Sequence, residues 1–153
     1  RALFIERVTG AIERTTASGG HRFAVLFLDL DRFRAINEGL GHGTGDQLLV
    51  EVSRRLEDIT NPADTLSRFG GDTFALLLEN CQSLNEVVVT CENIQEEFDD
   101  VFQVDDRPID ISCSIGIVLS QKSYENADDM LRDADTAMHR AKDDGRGRHR
   151  YWD

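Results

Sequence analysis

The chain has 153 residues, 40% of them hydrophobic and 30% charged, which is ordinary for one globular domain with its own core. Its formal net charge of −12 disfavours binding to nucleic acid polymers or to an anionic membrane surface, so an anionic ligand must bring metal ions or meet a local group of cations. The longest apolar run, 23–28, is too short to span a bilayer, and the 3 cysteines lack the spacing of a zinc site. We expect a single cytoplasmic domain over residues 1–153 with reduced thiols.

The first forty residues predict a helix, a strand and a second helix. Apolar residues in 1–16 recur at helical spacing, and the breaker Ser18-Gly19-Gly20 follows. This helix is already in progress at Arg1, so we expect the chain to be a piece of a longer signalling protein. The near-continuous apolar run 22–30 predicts a central strand covered on both faces, and residues 32–40 predict a short amphipathic helix.

A glycine-rich loop at 39–45 leads into the next predicted helix. Thr44 is a candidate N-cap with Gln47 reaching back to it, and Asp46 then lies in the first turn, where the helix dipole favours an acid. Asn61-Pro62 ends this helix. The loop lacks both the GxGxxG spacing and a following Lys-Ser or Lys-Thr, which excludes a dinucleotide fold and a P-loop.

Two short apolar runs flank Gly70-Gly71 and predict a tight β-hairpin. The glycines let a ligand approach the backbone, and Asp72 presents one carboxylate at the tip of the turn. The next residue, Thr73, is uncharged.

The second half of the chain continues the alternation of helices and strands. Helical spacing predicts helices over 84–98 and 126–142, the second with Gly145 as its C-terminal cap. Strict alternation predicts a strand over 109–118, and a last short strand is predicted over 149–152. This order favours an α+β, ferredoxin-like fold, in which a mostly antiparallel sheet of about five strands is flanked by helices, over a doubly wound sheet.

The acidic residues at strand ends have a chemical and a purely structural interpretation. If the strands that carry Asp29 and Asp72 are neighbours, the two carboxylates converge and could hold Mg²⁺ beside phosphates. Alternatively, Asp29 and Asp31 cap the following helix and Asp72 is only a turn residue.

Two further pairs have the same ambiguity. Lys142 and Arg146 lie on either side of Gly145, where they could clamp a polyphosphate or simply complement the end of a helix. Asn37 and Asp46 flank the glycine-rich loop, and an amide with a carboxylate could recognise a guanine edge. Alternatively, Asp46 is only an acid in the first turn of a helix.

These motifs occur together and in register over essentially the whole chain, which closely resembles the GGDEF family, the diguanylate cyclase domains of bacterial cyclic-di-GMP signalling. The matching stretches are LDLDRFRAIN (28–37), LGH (40–42), GDQLL (45–49), RFGGDTF (68–74), SIG (114–116), ADTAM (134–138), AK (141–142) and GR (145–146).

The resemblance implies a ferredoxin-like core related to nucleotide cyclase catalytic domains. It also implies that two GTP-loaded domains meet head to tail as a homodimer, and that each 3′-hydroxyl attacks the other nucleotide's α-phosphate and releases pyrophosphate. Asp29 and Asp72 would be the ligands of Mg²⁺ or Mn²⁺, assisted by the Leu30 carbonyl. The implied GTP-binding residues are Asn37 and Asp46 for guanine, Gly70, Gly71, Lys142 and Arg146 for the phosphates, and also Phe33 and His42.

The chain departs from the family pattern at two positions. The fourth residue of the signature, a glutamate in the family, is Thr73, which cannot serve as an anionic ligand or accept a proton as a carboxylate does. Many active members also carry an RxxD product-inhibition site before the signature, where this chain has Asn61 and Asp64. Asparagine cannot make the bidentate contacts of arginine, so we expect this inhibitory site to be lost.

Three functional hypotheses follow. The first is a GTP-binding, catalytically impaired domain that regulates a neighbouring output domain, because the chain ends resemble members fused to a C-terminal EAL phosphodiesterase domain. The second is a working diguanylate cyclase that makes cyclic-di-GMP from two GTP molecules. The third is a dimerisation module that binds no nucleotide. Neighbouring EAL-type or sensory domains are expected partners, and the domain would lie on the cytoplasmic side if the whole protein is membrane-anchored.

Overall fold

The computed structural model describes residues 1–18, 22–120 and 124–152. Helices and strands alternate along most of the chain. In chain order they are α1 (Ala2–Ser18), β1 (Ala24–Leu30), α2 (Phe33–Leu40), α3 (His42–Ile59), β2 (Thr65–Arg68), β3 (Thr73–Leu78), α4 (Leu84–Glu97), β4 (Phe102–Val104), β5 (Arg107–Ile109), β6 (Cys113–Leu119), α5 (Ala127–Asp143) and β7 (His149–Tyr151).

The central sheet has five strands in the order β2-β3-β1-β6-β7. Strand β1 pairs antiparallel with β3 on one side and with β6 on the other, and only β7 runs parallel to its neighbour β6. Every residue of β1 is buried, as the continuous apolar run predicts for a central strand. The pairing sets Asp29 opposite Thr73 on β3 and opposite Ser114 on β6.

Alternate residues of β1 enter two separate cores, one on each face of the sheet. Leu26 and Leu28 pack with the apolar faces of α3 and α4, whereas Val25 and Phe27 pack with α1 and α5. Burial of each such side chain contributes about 1.5–3 kcal/mol, so both faces of β1 are fixed. The predicted α+β class, with a mostly antiparallel sheet flanked by helices, is confirmed.

The predicted strand over 109–118 is wrong in its extent. Strand β5 ends at Ile109 and pairs with β4 in a separate two-stranded sheet, and β6 begins only at Cys113. Apolar burial alternates without interruption through Ile111, so the pattern does not reveal that the backbone changes sheets. The β4–β5 hairpin was also missed because its turn is Asp105-Asp106 at φ 51° and 61°, where glycine or asparagine is the usual signal.

Two predicted helix boundaries also differ from the structure. Thr44 does not cap α3, which begins at His42 after Gly41 at φ 92° and has no side-chain cap. A glycine backbone therefore starts the helix, and Asp46 lies beyond its first turn. Helix α1 extends to Ser18, and the rest of the predicted breaker, Gly19-Gly20, lies outside the described residues.

The three cysteines are free, and Cys91 and Cys113 are buried. Burial raises the pKa of the half-buried Cys81 thiol to about 11, which keeps it protonated at neutral pH. No helix in the described ranges combines the length and the apolarity needed to cross a membrane.

Gly116 is the point of closest approach between β6 and α5. A Cβ added there would collide with the Ala134 carbonyl oxygen and the Met138 backbone nitrogen. Neither atom can rotate away, because both belong to the backbone of a helix. The absence of a side chain on β6 therefore sets how closely α5 packs on the sheet.

We expect Gly116→Ala to lower the free energy of unfolding by roughly 1–3 kcal/mol, because the added methyl group must push α5 off the sheet. The matched control is Gly39→Ala in α2, where an added Cβ meets nothing within 4 Å and should stabilise the helix by about 0.5–1 kcal/mol. Urea titration of both variants measures the difference. Equal stability of the two would show that α5 does not depend on this contact.

Candidate functional site

The turn between β2 and β3 is an open glycine turn, as the sequence predicts. The Thr73 N–H donates to the Gly70 carbonyl at 3.0 Å, and the Phe69 N–H donates to the Thr73 carbonyl at 2.8 Å. Gly70 and Gly71 have φ of 98° and 39°, and nothing lies within 4 Å of a Cβ added at either. The backbone of the turn is therefore accessible to a ligand, and the positive φ values favour glycine at both positions.

The two side chains that precede Gly70 hold this turn in place. The Arg68 Nε donates to the Gly71 carbonyl at 3.1 Å. The Phe69 ring meets the rings of Phe4 and Phe27, each with a centroid separation of 5.4 Å. Aromatic contacts of this kind contribute about 0.5–1.5 kcal/mol each beyond burial. The turn is thus anchored to α1 and β1, although its tip is exposed.

Asp29, Thr73 and Lys142 meet at the end of β1. The Lys142 Nζ lies 2.7 Å from Asp29 Oδ2, and both side chains are largely buried, at 19% and 12% exposure respectively. The Thr73 hydroxyl donates to the other carboxylate oxygen, Asp29 Oδ1, at 3.3 Å. Lys142 therefore neutralises the strand-end carboxylate.

Asp72 lies beside this group. The Leu30 N–H donates to the Asp72 carbonyl at 3.2 Å, which ties the signature turn to the end of β1. Burial raises the pKa of the Asp72 carboxyl above its usual range, the neighbouring Asp29 raises it further, and the Lys142 ammonium lowers it. Two adjacent, partly desolvated carboxylates favour a bound divalent cation because it offsets their repulsion.

The carboxylate pair therefore fits Mg²⁺ or Mn²⁺ in its donor chemistry. Within residues 1–18, 22–120 and 124–152, no third His, Cys, Asp or Glu completes a metal-binding group of three. Thr73 stands on β3 directly opposite Asp29 and offers a hydroxyl there.

Lys142 and Arg146 flank the end of α5, as predicted. The Arg146 N–H donates to the Ala141 carbonyl and the Gly145 N–H to the Lys142 carbonyl, at 3.1 and 3.2 Å, which together form a Schellman motif. Gly145 has φ 122° and thus provides the predicted helix cap. The Lys142 ammonium reaches Asp29, so its ion pair lies at the site. Arg146 is exposed just beyond it.

A cavity of about 460 Å³ opens beside the glycine turn. Its lining brings together four of the predicted nucleotide-binding residues, Phe33, Asn37, His42 and Gly71, with Asp72. The Asn37 Oδ1 is buried against Gly45 and has no hydrogen-bond partner in the described structure.

Helix α3 approaches this cavity through Gly45. A Cβ on Gly45 would overlap the Asn37 amide oxygen and come within 3.2 Å of the Phe33 ring. Glycine at position 45 thus leaves room for the side chain of Asn37, the predicted guanine-binding residue. Asp46 is exposed on α3 and does not line the cavity, so the structure does not bring it against Asn37 there.

Asn61 and Asp64 lie on the opposite side of the hairpin. The Asp64 carboxylate accepts the Glu79 N–H at 2.9 Å, and the Asp64 N–H donates to the Asn61 carbonyl at 2.9 Å. A second cavity, of about 560 Å³, is lined there by both residues and also by Glu96, Glu97 and Asp100. Among the described residues, several carboxylates and no cationic side chain line this cavity, which opposes an anionic ligand.

Asp31 has a role that the sequence motifs do not indicate. Its carboxylate accepts hydrogen bonds from the Ser112 and Ser114 hydroxyls, both at 2.6 Å, and from the Gly147 N–H at 3.0 Å. The suggestion that it caps α2 is wrong, because the N-cap is Arg32 at φ 59° with no side-chain cap. The sequence feature that could have indicated this role is an acid at the end of a buried strand, together with the pair Ser112 and Ser114 in the strand predicted over 109–118.

The sheet, its flanking helices and the glycine turn beside paired carboxylates define an α+β domain of nucleotide-cyclase type. The family model described as "Diguanylate cyclase, GGDEF domain" matches residues 1–148, and the chain belongs to the GGDEF family.

Similar proteins include the bifunctional diguanylate cyclase/cyclic di-GMP phosphodiesterase MucR of Pseudomonas aeruginosa, 37% identical over 95% of this chain and 21% of MucR. The diguanylate cyclase TpbB of the same species is 35% identical over 98% of this chain and 34% of TpbB. The chain thus spans between about a fifth and a third of these relatives.

Solved structures show the same fold. The GGDEF domain of TpbB (YfiN) from P. aeruginosa has a TM-score of 0.95 at 34% identity, over 100% of this chain and 95% of that one. An EAL/GGDEF domain protein from M. capsulatus has a TM-score of 0.82 at 34% identity, over 100% of this chain and 98% of that one.

We expect Asp64→Asn to raise the melting temperature at neutral pH. Burial, followed by the charge of Glu79, raises the pKa of the Asp64 carboxyl, whereas the Glu79 N–H and the Asn61 side chain lower it. A raised folded-state pKa favours the protonated form, so this contribution to stability is present below 3.8, the ordinary value, and is lost as the pH rises through the folded-state pKa. Asparagine keeps an acceptor for Glu79 without the charge.

Thermal denaturation of both proteins between pH 3.5 and 7.5 tests this expectation. The advantage of the variant should shrink on acidification as the wild-type carboxyl becomes protonated. A constant difference across this range, or a less stable variant at neutral pH, would contradict it. Asp58→Asn, at an exposed position on α3, serves as the control.

Proposed function

We propose that this domain binds GTP together with Mg²⁺ or Mn²⁺, turns it over poorly, and regulates an adjacent output domain of the EAL phosphodiesterase type. The observation that carries the proposal is the Thr73 hydroxyl donating to Asp29 at 3.3 Å, at the position where the family signature has a glutamate. The binding groups around it are retained.

Nucleotide binding is supported by the charges at the end of β1. Asp29, Asp72 and the Leu30 carbonyl would hold the cation, which supplies charge neutralisation for the triphosphate. Lys142 balances Asp29 in the unliganded domain at 2.7 Å. Its flexible ammonium can turn to phosphate oxygens once a cation takes over that role. The strongly acidic chain offers a triphosphate few other favourable contacts.

Guanine recognition is supported by the cavity beside the turn. Asn37 lines the cavity, and its unsatisfied Oδ1 would accept a hydrogen bond from a guanine N–H once the side chain turns away from Gly45. Phe33 offers an apolar surface to the base. Asp46 must then recognise the base from the exposed rim of α3, outside the cavity. The accessible backbone at Gly70 and Gly71 leaves room for the phosphates.

Impaired turnover follows from the chemistry of Thr73. A neutral hydroxyl cannot accept the proton of an attacking 3′-hydroxyl as a carboxylate does, and loss of a general base typically costs about 10²- to 10⁴-fold in rate. Here the hydroxyl also occupies Asp29 as a donor. Product formation further requires two loaded domains in a homodimer, because one site holds only one of the two nucleotides.

Product inhibition through Asn61 and Asp64 is also lost in this proposal. The Asp64 carboxylate is engaged by the Glu79 N–H, and the neighbouring cavity is acidic. Cyclic-di-GMP is itself anionic and would be repelled there. A domain that makes little product has little use for inhibition by it.

Regulation of an EAL domain is supported by relatives that combine both activities. MucR is named as a bifunctional cyclase and phosphodiesterase, and this chain corresponds to 21% of its length. In such an arrangement, GTP binding would change the activity of the neighbouring domain. The place of action would be the cytoplasm, where GTP is available.

The second candidate function is an active diguanylate cyclase. It is favoured by the retained Asp29 and Asp72 carboxylates and by relatives such as TpbB, which is named as a diguanylate cyclase. A dimerisation module that binds no nucleotide is the third candidate.

We expect the chain to bind GTP in the presence of Mg²⁺ in calorimetric titrations. Asp46→Ala should weaken binding about ten-fold or more, because it removes a charged acceptor from the guanine edge. The matched control Asp58→Ala removes an exposed acid from the same helix and should leave the affinity unchanged. Absence of any GTP affinity would favour the dimerisation module, and equal effects of the two variants would remove Asp46 from the site.

Thr73→Glu should increase the rate of cyclic-di-GMP formation from GTP by about 10²-fold or more, because it restores the carboxylate of the signature. Thr73→Ser keeps the hydroxyl and should remain as slow as the wild type. Chromatographic quantification of the product over time measures both rates. If the wild type forms cyclic-di-GMP at a rate comparable with that of Thr73→Glu, the proposal of impaired catalysis is wrong and the domain is an active cyclase.

A further inference from the structure

Asp31 is a buried carboxylate that no proposed ligand contact uses. It is 4% exposed and receives the three hydrogen bonds from Ser112, Ser114 and Gly147. The Ser114 hydroxyl occupies Oδ1, whereas the Ser112 hydroxyl and the Gly147 N–H share Oδ2. Asp31 is therefore already satisfied by three donors, whereas the partners of the nearby Asp29 are the Lys142 ammonium and the Thr73 hydroxyl, two side chains of the site itself.

The hydrogen bond from the Gly147 N–H to Asp31 fixes Gly147 and the preceding Arg146, whose backbone conformation is unfavourable. Arg146 and Gly147 have φ of 63° and 62°, and a left-handed conformation is unfavourable for a residue with a Cβ. The segment is held at one end by the Schellman motif of α5. At the other end the Ile115 N–H donates to the Arg148 carbonyl at 2.9 Å, where β7 joins the sheet.

Between these two ends, the Gly147 N–H is tied to β1. It donates at 3.0 Å to a residue two positions after Asp29. The Asp31 N–H also donates to the Ser112 carbonyl at 2.9 Å, so the backbone of Asp31 is fixed to the segment before β6. The position of Arg146 relative to Asp29 is thus defined through one carboxylate.

We propose that Asp31 is a positioning residue, which holds Arg146 and the last turn of α5 in register with Asp29 so that the cations of the site reach the phosphates of a bound nucleotide. This inference rests on the proposed function, because it assumes that Lys142 and Arg146 contact phosphate. Asp31 itself contacts neither the metal nor the nucleotide. Substitution of Asp31 should therefore weaken the binding of the phosphates and leave the binding of the base unchanged.

The test compares GTP with guanosine, which lacks the phosphates, in Mg²⁺-containing calorimetric titrations of the 153-residue chain. Asp31→Ala should lower the ratio of GTP affinity to guanosine affinity about ten-fold or more, because it releases the Arg146 segment. Asp31→Asn keeps an acceptor oxygen for the Gly147 N–H and should restore most of that ratio. Guanosine affinity should stay the same in all three proteins.

Val87→Ala is the control for a purely structural effect. It removes buried apolar volume from α4, a helix that supplies none of the described hydrogen bonds to Asp31, and it should lower stability without changing the affinity ratio. If Asp31→Ala lowers GTP and guanosine affinity equally, or leaves the ratio unchanged, the positioning role is overturned. A wild-type chain that binds guanosine and GTP equally, or neither of them, overturns the proposed function and this inference with it.

A second measurement needs no variant and decides the question if Asp31→Ala does not fold. Amide hydrogen exchange in the wild-type chain should show the Gly147 N–H protected before any nucleotide is added, because the bond to Asp31 already exists. Exchange at the rate of an unprotected amide, with protection appearing only after GTP is added, would show that the ligand orders the segment and that Asp31 does not.

Discussion

The ion pair between Lys142 and Asp29 depends on two elements that are far apart in the chain. Helix α5 must pack closely enough on the sheet for its last turn to reach the end of β1, where the two charged atoms lie 2.7 Å apart. Gly116 permits that approach, since the Ala134 carbonyl and the Met138 nitrogen occupy the space of its missing side chain. A small residue in the core thus sets the geometry of the charged groups at the end of β1.

The fold could be predicted largely from hydrophobic periodicity, because β1 is buried on both faces and the long helices bury one face each. The errors arose where backbone conformation, and not burial, decides the boundary. Apolar alternation continues from Ile109 to Cys113 while the chain moves from one sheet to another. Gly41 starts α3 through its own backbone conformation at φ 92°, and no capping side chain marks that position.

The sequence indicates which residues are candidates for the site, but it does not indicate which of their atoms contact one another. The motifs indicated Asp29, Asp72 and Lys142 because each lies at the end of a recognisable element. Which oxygen faces which donor depends on strand register and helix packing, and a sequence pattern contains neither. Asp31 illustrates this, since an acid at a strand end is equally typical of a helix cap, a metal ligand or a buried acceptor. The donors Ser112, Ser114 and Gly147, and the absence of a side-chain cap on α2, distinguish these roles.

Thr73 changes the electrostatic balance of the unliganded domain as well as its chemistry. A glutamate there would add a third carboxylate beside Asp29 and Asp72, where the Asp72 pKa is already raised by burial and by the neighbouring charge. Lys142 would then face three negative charges. The threonine removes one of these charges and donates a hydrogen bond to Asp29. Lower repulsion among the acidic groups and a lower capacity to accept a proton at this position therefore follow from the same residue, which is the stability–activity relation expected of a carboxylate cluster.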